Sequence, residues 1–201
     1  FKLSEPKRQE KQRLGCYSNI RQIGLAIQMY SQDYDETLPR VSFGRPNTPK
    51  FYTWMDAVFP YVKNTASFTC PADGVNQPYQ PHSKNYGSYV MNNAYYLPGD
   101  AQTPSSGIRL DRIENPYSTV LLTDGQNDFQ FSWPNAQQTP PLISDTPLLL
   151  NSIVGRHPKN HNATIAAGAD GSCSTALLGF ASRTKTIKGQ TVYTNLTIED
   201  D

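Results

Sequence analysis

Cys16-Tyr-Ser-Asn-Ile-Arg-Gln-Ile-Gly-Leu-Ala-Ile-Gln-Met-Tyr-Ser-Gln-Asp-Tyr-Asp-Glu-Thr-Leu-Pro39 is the stretch that decides the fold. Tyr17, Ile20, Ile23, Ile27, Tyr30 and Tyr34 recur at steps of three or four, which predicts a helix with one apolar stripe, and Arg21, Gln22 and Gln28 face away from it. Such a stripe needs a partner. Pro39 cannot continue a helix and disfavours helical geometry in the residue before it, so the helical arm is expected over 1–38 and a globular head over 39–201.

Upstream, residues 1 to 13 form a mixed, solvated run of Lys, Arg, Gln and Glu with good helix formers apart from Pro6. Downstream, Arg40 to Lys50 is rich in turn formers and reads as loop. In Phe51 to Val62, Thr53 is placed to cap a short helix ended by Pro60, with Trp54, Val58, Phe59 and Val62 at helical spacing. The Phe68–Pro71 segment reads as a short strand, Ser88 to Tyr96 and Thr119 to Thr123 as strands, and the segment from Gln126 to Leu150 as a long surface excursion. Asp170-Gly171 between two β-forming runs predicts a hairpin, and Thr191 to Ile198 a last strand.

The 201 residues carry a net charge of +1 and only 17% charged side chains. A chain of that size holds one domain with a real core, and its balance offers no phosphate-neutralising patch, so nucleic acid is excluded as a partner. No run approaches the roughly 18 apolar residues of a membrane span. There is no Gly-x-Ser-x-Gly, no His-Glu-x-x-His and no phosphate-binding glycine loop, and the chain is expected not to be an enzyme. The spacing of His157 and His161, with Asp170 downstream, allows a metal or catalytic reading, set against a structural histidine beside a turn. Asp124, Asn127 and Asp128 put three oxygen ligands on one turn and suit a calcium ion, although an Asx turn explains Asp124-Gly125 without one. Asp33, Asp35 and Glu36 form a second acidic group at the helix end. Of the three cysteines, Cys16, Cys70 and Cys173, any two can pair, or all three can be buried thiols.

The segment Cys16-x-Ser18-Asn19-x-x-Gln22-Ile23-Gly24-Leu25-Ala26-x-x-Met29-Tyr30-x-Gln32-Asp33-Tyr34-Asp35-Glu36-Thr37-Leu38-Pro39 resembles a large bacterial family of type IV pilin-like proteins related to the major pseudopilins of type II secretion. Ile113, Pro116 and Thr119 to Thr123 resemble a second segment of that family. The family's C-terminal motif, a histidine, nine residues and Asp-Gly, is approached by Arg156, His157, Asp170 and Gly171, but twelve residues separate His157 from Asp170 and eight separate His161 from it. The resemblance implies an α+β fold with a long N-terminal helix packed on a small antiparallel sheet. It also implies a structural subunit of an extracellular filament, a homo-oligomer assembled through Tyr17, Ile20, Ile23, Ile27, Tyr30 and Tyr34. Secretion or pilus assembly machinery would handle it, anchoring it in the inner membrane beforehand. It places Cys16 and Cys70 in the same body, which favours a disulfide between them, and major pseudopilins of this kind often hold calcium in a loop. Phe1-Lys-Leu-Ser-Glu5 echoes the opening of mature pilins, yet a polar run follows, so either a hydrophobic helix is missing from this sequence, which is the favoured expectation, or the mature subunit lacks one and assembles by some other contact. The competing expectation is a secreted glycan- or surface-binding module using Trp54, Trp133 and the tyrosines.

Overall fold

The computed structural model describes residues 4–44, 47–74, 78–92, 107–113, 116, 119–125, 128–131, 163–168, 173–177, 184–187 and 190–193. Helix α1 runs from Glu5 to Asp33, about 43 Å at 1.5 Å per residue. Pro6 sits in its first turn, where the missing N–H is an orphan in any case. It stops at Asp33, short of Pro39: Tyr34 leaves helical geometry, and Asp35 and Glu36 both take positive φ, 53° and 58°. No helix among the described residues is long and apolar enough to cross a membrane.

The two-residue strands β1 (Ser42–Phe43) and β2 (Tyr52–Thr53) pair antiparallel and lead into α2 (Trp54–Val62). Thr53 caps α2: its backbone N–H and its hydroxyl both donate to Oδ2 of Asp56, at 2.8 Å and 3.2 Å. The helix continues two residues past Pro60, because a proline in the last turn forfeits only its own N–H and leaves those of Tyr61 and Val62 intact. Lys63, at φ 55°, closes it by donating its backbone N–H to the Phe59 carbonyl. The segment expected to be a strand at Phe68 is instead the end of a 3-10 turn, Thr65–Phe68, started by Asn64 accepting from the Ala66 N–H. That hydrogen bond offers the backbone a local alternative to a ladder.

The main sheet joins β3 (Tyr89–Asn92), β4 (Val120–Asp124), β5 (Gln130–Phe131), β6 (Ala163–Gly168) and β7 (Cys173–Leu177) in the order β5-β3-β4-β6-β7. It is antiparallel except at its β5 edge, where β5 runs parallel to β3. Every residue of β3 and β4 is buried. Between Val120 and Leu122 the register with β6 shifts, so the central strand carries a bulge. Helix α1 lies across β4, β6 and β7 and packs on α2. A separate hairpin, β8 (Thr184–Ile187) with β9 (Gln190–Tyr193), contains one strand that the sequence pattern missed. The result is the α+β arrangement implied by the resemblance, a long N-terminal helix on a small, largely antiparallel sheet. The Asp170-Gly171 turn lies outside the described residues, although β6 and β7, which flank it, do pair.

The core forms where α1 meets α2 and the sheet. Ile20, Ile23, Ile27 and Tyr30 of α1 close over Trp54, Met55, Val58, Phe68, Tyr89, Met91, Leu121 and Leu122, all buried. Each such side chain contributes roughly 1.5–3 kcal/mol of hydrophobic stabilisation.

Candidate functional site

Helix α1 has two faces with different fates. Ile20, Ile23 and Ile27 are fully buried and Tyr30 nearly so, so the stripe expected to serve assembly is taken up by the molecule's own head. Tyr17 at one end is half-buried and Tyr34 at the other is 54% exposed. The reason is geometric: residues three and four apart share one face, and the head is broad enough to cover that face from Cys16 to Tyr30. The outward line is Leu14, Ser18, Arg21, Leu25 and Met29, again at steps of three and four, and every member is exposed. Leu14 is 53%, Leu25 53% and Met29 51% exposed, so three large apolar side chains look into solvent along one side of the rod. The periodicity that gathered the isoleucines drew attention away from this second line, because a basic and a small polar residue interrupt it.

Polar ties fix the N-terminal half of α1. Cys16 and Cys70 are joined by a disulfide, with 4.8 Å between their Cα atoms and 54 residues between them in sequence. A loop of that length corresponds to about 4 kcal/mol of chain-entropy stabilisation. Around the bridge, Gln12 donates to the Pro71 carbonyl at 3.0 Å, Asn19 to the Thr69 carbonyl at 2.9 Å, and the Ser67 hydroxyl to Gln22 at 2.9 Å. Gly15 lies where a Cβ would press on the Pro71 ring at 3.0 Å, which explains a glycine inside a helix.

The C-terminal end of α1 is aromatic and acidic. Tyr30 and Tyr34 stack at 4.2 Å, and Tyr61 meets Tyr30 edge-on. The Tyr61 hydroxyl donates to Asp33 at 2.7 Å, which pushes the phenol up to about 12. Beyond the helix, Arg109 donates to the Asp35 carbonyl at 3.0 Å and lies near Glu36 and Asp111, clamping the two positive-φ residues. Three acidic side chains, Asp33, Asp35 and Glu36, thus gather at the negative end of the helix dipole, the end where cations are favoured.

Trp54 does not serve a binding platform. It is fully buried, its indole N–H donates to the Phe129 carbonyl at 2.7 Å, and its ring packs beside Phe68. Asp124 is buried at the end of β4. Oδ1 of Asp128 accepts the Phe129 backbone N–H at 2.7 Å, and burial raises its carboxyl above the usual range. Among the described residues no three His, Cys, Asp or Glu side chains converge as a metal would require. Asn127, Trp133, Arg156, His157, His161, Asp170 and Gly171 lie outside the described residues.

No curated protein and no solved structure matches the chain. A family model described as "Protein of unknown function (DUF1559)" matches residues 8–68, covering almost all of α1, the β1–β2 pair, α2 and the 3-10 turn. This stretch contains the whole outward line of the helix and much of what buries its inner face. Over these residues the chain is similar to a family associated with pilin-like and pseudopilin-like proteins, and at that level it is compatible with a pilin-like surface subunit.

Proposed function

We propose that this chain is a structural subunit of an extracellular pilus-like or pseudopilus-like filament, assembled through its N-terminal helix and without a catalytic role. The observation that carries this reading is the second face of α1: Leu14, Leu25 and Met29 stay about half exposed in one line on a helix whose other stripe is already satisfied. Scattered exposed apolar residues are ordinary, but a line of them along a rod is a surface that gains from being covered. A contact that places one copy against the next by translation along the rod is heterologous, and a heterologous contact that does not close generates a filament. The disulfide and the polar ties at Pro71, Thr69 and Ser67 keep the rod fixed to its head, as a subunit under axial load needs. On this reading the partners are further copies of the chain and a machinery that secretes and assembles them, and the place of work is the cell surface.

Electron microscopy of the purified full chain, and of source cells labelled with an antibody to it, tests the proposal. Labelled filaments are the expected result. A monodisperse monomer at all concentrations, with label on no filament, overturns it.

A further inference from the structure

The outward line of α1 continues towards the start of the helix. Lys7, Lys11, Leu14, Ser18, Arg21, Leu25 and Met29 follow one another at steps of three and four, every one of them exposed, over about 33 Å of the rod. Its charges are sorted. Helix α1 carries five basic side chains, and the two off this line, Arg8 and Arg13, lie roughly 100° and 120° around the helix from Lys7 and pair with Glu5 and Glu10. The three on the line, Lys7, Lys11 and Arg21, make no ion pair among the described residues, and no acidic side chain stands on it. Leu14, Leu25 and Met29 are three of the four large apolar side chains exposed among the described residues. In a chain whose net charge is only +1, the helix thus turns outward a face that is cationic and apolar together.

We infer that this face docks on an anionic lipid surface, with the rod lying along the plane of the bilayer. Charge complementarity selects the occupant: three cations with no acid among them call for an anionic surface, and the same line of one further copy, carrying the same charge, repels it. The apolar members select lipid among anionic surfaces. The ammonium and guanidinium groups reach the headgroup phosphates on their long stems, while those stems and Leu14, Leu25 and Met29 enter the boundary beneath. Headgroups and acyl chains rearrange to meet both demands along the whole line, whereas an acidic protein would need carboxylates and apolar pockets set in matching order. The disulfide and the ties to Pro71, Thr69 and Ser67 fix the rod to its head away from this line, so the face is presented already helical and docking carries no cost of helix formation. This docking belongs to the single chain and does not depend on its assembly into a filament.

Vesicle co-sedimentation of the full chain at low salt, below its concentration of self-association, tests the proposal with phosphatidylcholine alone and with an equimolar mixture of phosphatidylcholine and phosphatidylglycerol. The chain should bind the mixed vesicles at least about tenfold more tightly, and added salt should weaken that binding. Two double variants remove the same charge from different faces: K11Q/R21Q should lose about tenfold or more, and R8Q/R13Q less than about threefold. Thermal melts check that each variant is folded. Leu25→Trp should add a blue shift in fluorescence on the mixed vesicles that the wild type lacks, as the new ring leaves water. No preference for the mixed vesicles, equal losses in the two double variants, or no added blue shift would each overturn the proposal. A chain that ignores both vesicles but is retained by immobilised polyglutamate would show that the face takes an acidic protein, and lipid would be excluded. Filaments without vesicle binding would sink this inference and leave the assembly reading standing; vesicle binding without filaments would do the reverse.

Discussion

At the scale of single residues, one half-buried carboxylate carries two tasks at once. Asp56 accepts from the Thr53 backbone and hydroxyl to start α2, and its other oxygen accepts from the Tyr79 hydroxyl at 2.9 Å and the His82 backbone at 2.8 Å. One carboxylate therefore ties a helix start to a loop more than twenty residues later. Burial, and after it the bond to Asp56, raises the Tyr79 phenol well above its ordinary value. The folded state then holds this proton more tightly than the unfolded chain does. Its contribution to stability is complete below the unfolded value near pH 10 and is lost as the pH climbs above that. Tyr61, pushed up to about 12 by Asp33, acts in the same sense. Urea midpoints measured from pH 8 to 12 should fall above about pH 10, and Tyr79→Phe should make that fall shallower. An unchanged slope in the variant would show that Tyr79 does not carry the effect. Little of this was legible beforehand: Thr53 was readable as a cap from its place before an apolar run, but Asp56's bond to Tyr79 spans 23 positions and leaves no trace in local pattern.

At the scale of the element, α1 decides the molecule, and its two faces respond differently to substitution. Ile23 is fully buried, so Ile23→Ala should cost about 2–5 kcal/mol. Leu25 is half exposed, so Leu25→Ala should cost about 0.5 kcal/mol or less in the dilute monomer. Chemical denaturation of both variants below the concentration of self-association checks the pair, and similar losses at the two positions would contradict the assignment of faces. Spacing alone delivered the helix, its buried isoleucines and the strands at 89–92 and 120–124, because those segments are long or strongly apolar. It misplaced the ends. Tyr34 through Glu36 leave the helix before Pro39 because Arg109, 74 positions away from Asp35, holds their backbone in another conformation. The strand expected at Phe68 became a 3-10 turn because Asn64 supplies a local acceptor. The two-residue β5 is held by pairing with β3, and two residues carry no period to read.

At the scale of the whole molecule, head and rod are one packed body in which the rod's inner stripe is part of the core. The isoleucines that first suggest an assembly spine are buried in the molecule's own core, and the large apolar side chains that the helix leaves exposed include the line through Leu14, Leu25 and Met29. The α+β architecture was legible from the Cys16–Pro39 stretch and its resemblance. The outward face was not, because a stripe broken by Ser18 and Arg21 only becomes visible once the other face is known to be covered. The chain's three methionines offer the most direct test that this face is what other copies cover. Met29 is 51% exposed, whereas Met55 and Met91 are fully buried, so peroxide should oxidise Met29 quickly in the dilute chain and spare the other two. The measurement is the rate of sulfoxide formation at each methionine, by peptide mass spectrometry, across a concentration series that spans assembly. The account predicts that Met29 becomes protected at least several-fold as the chain assembles, with Met55 and Met91 unreactive throughout; assembled material in which Met29 oxidises as fast as in the monomer would contradict it.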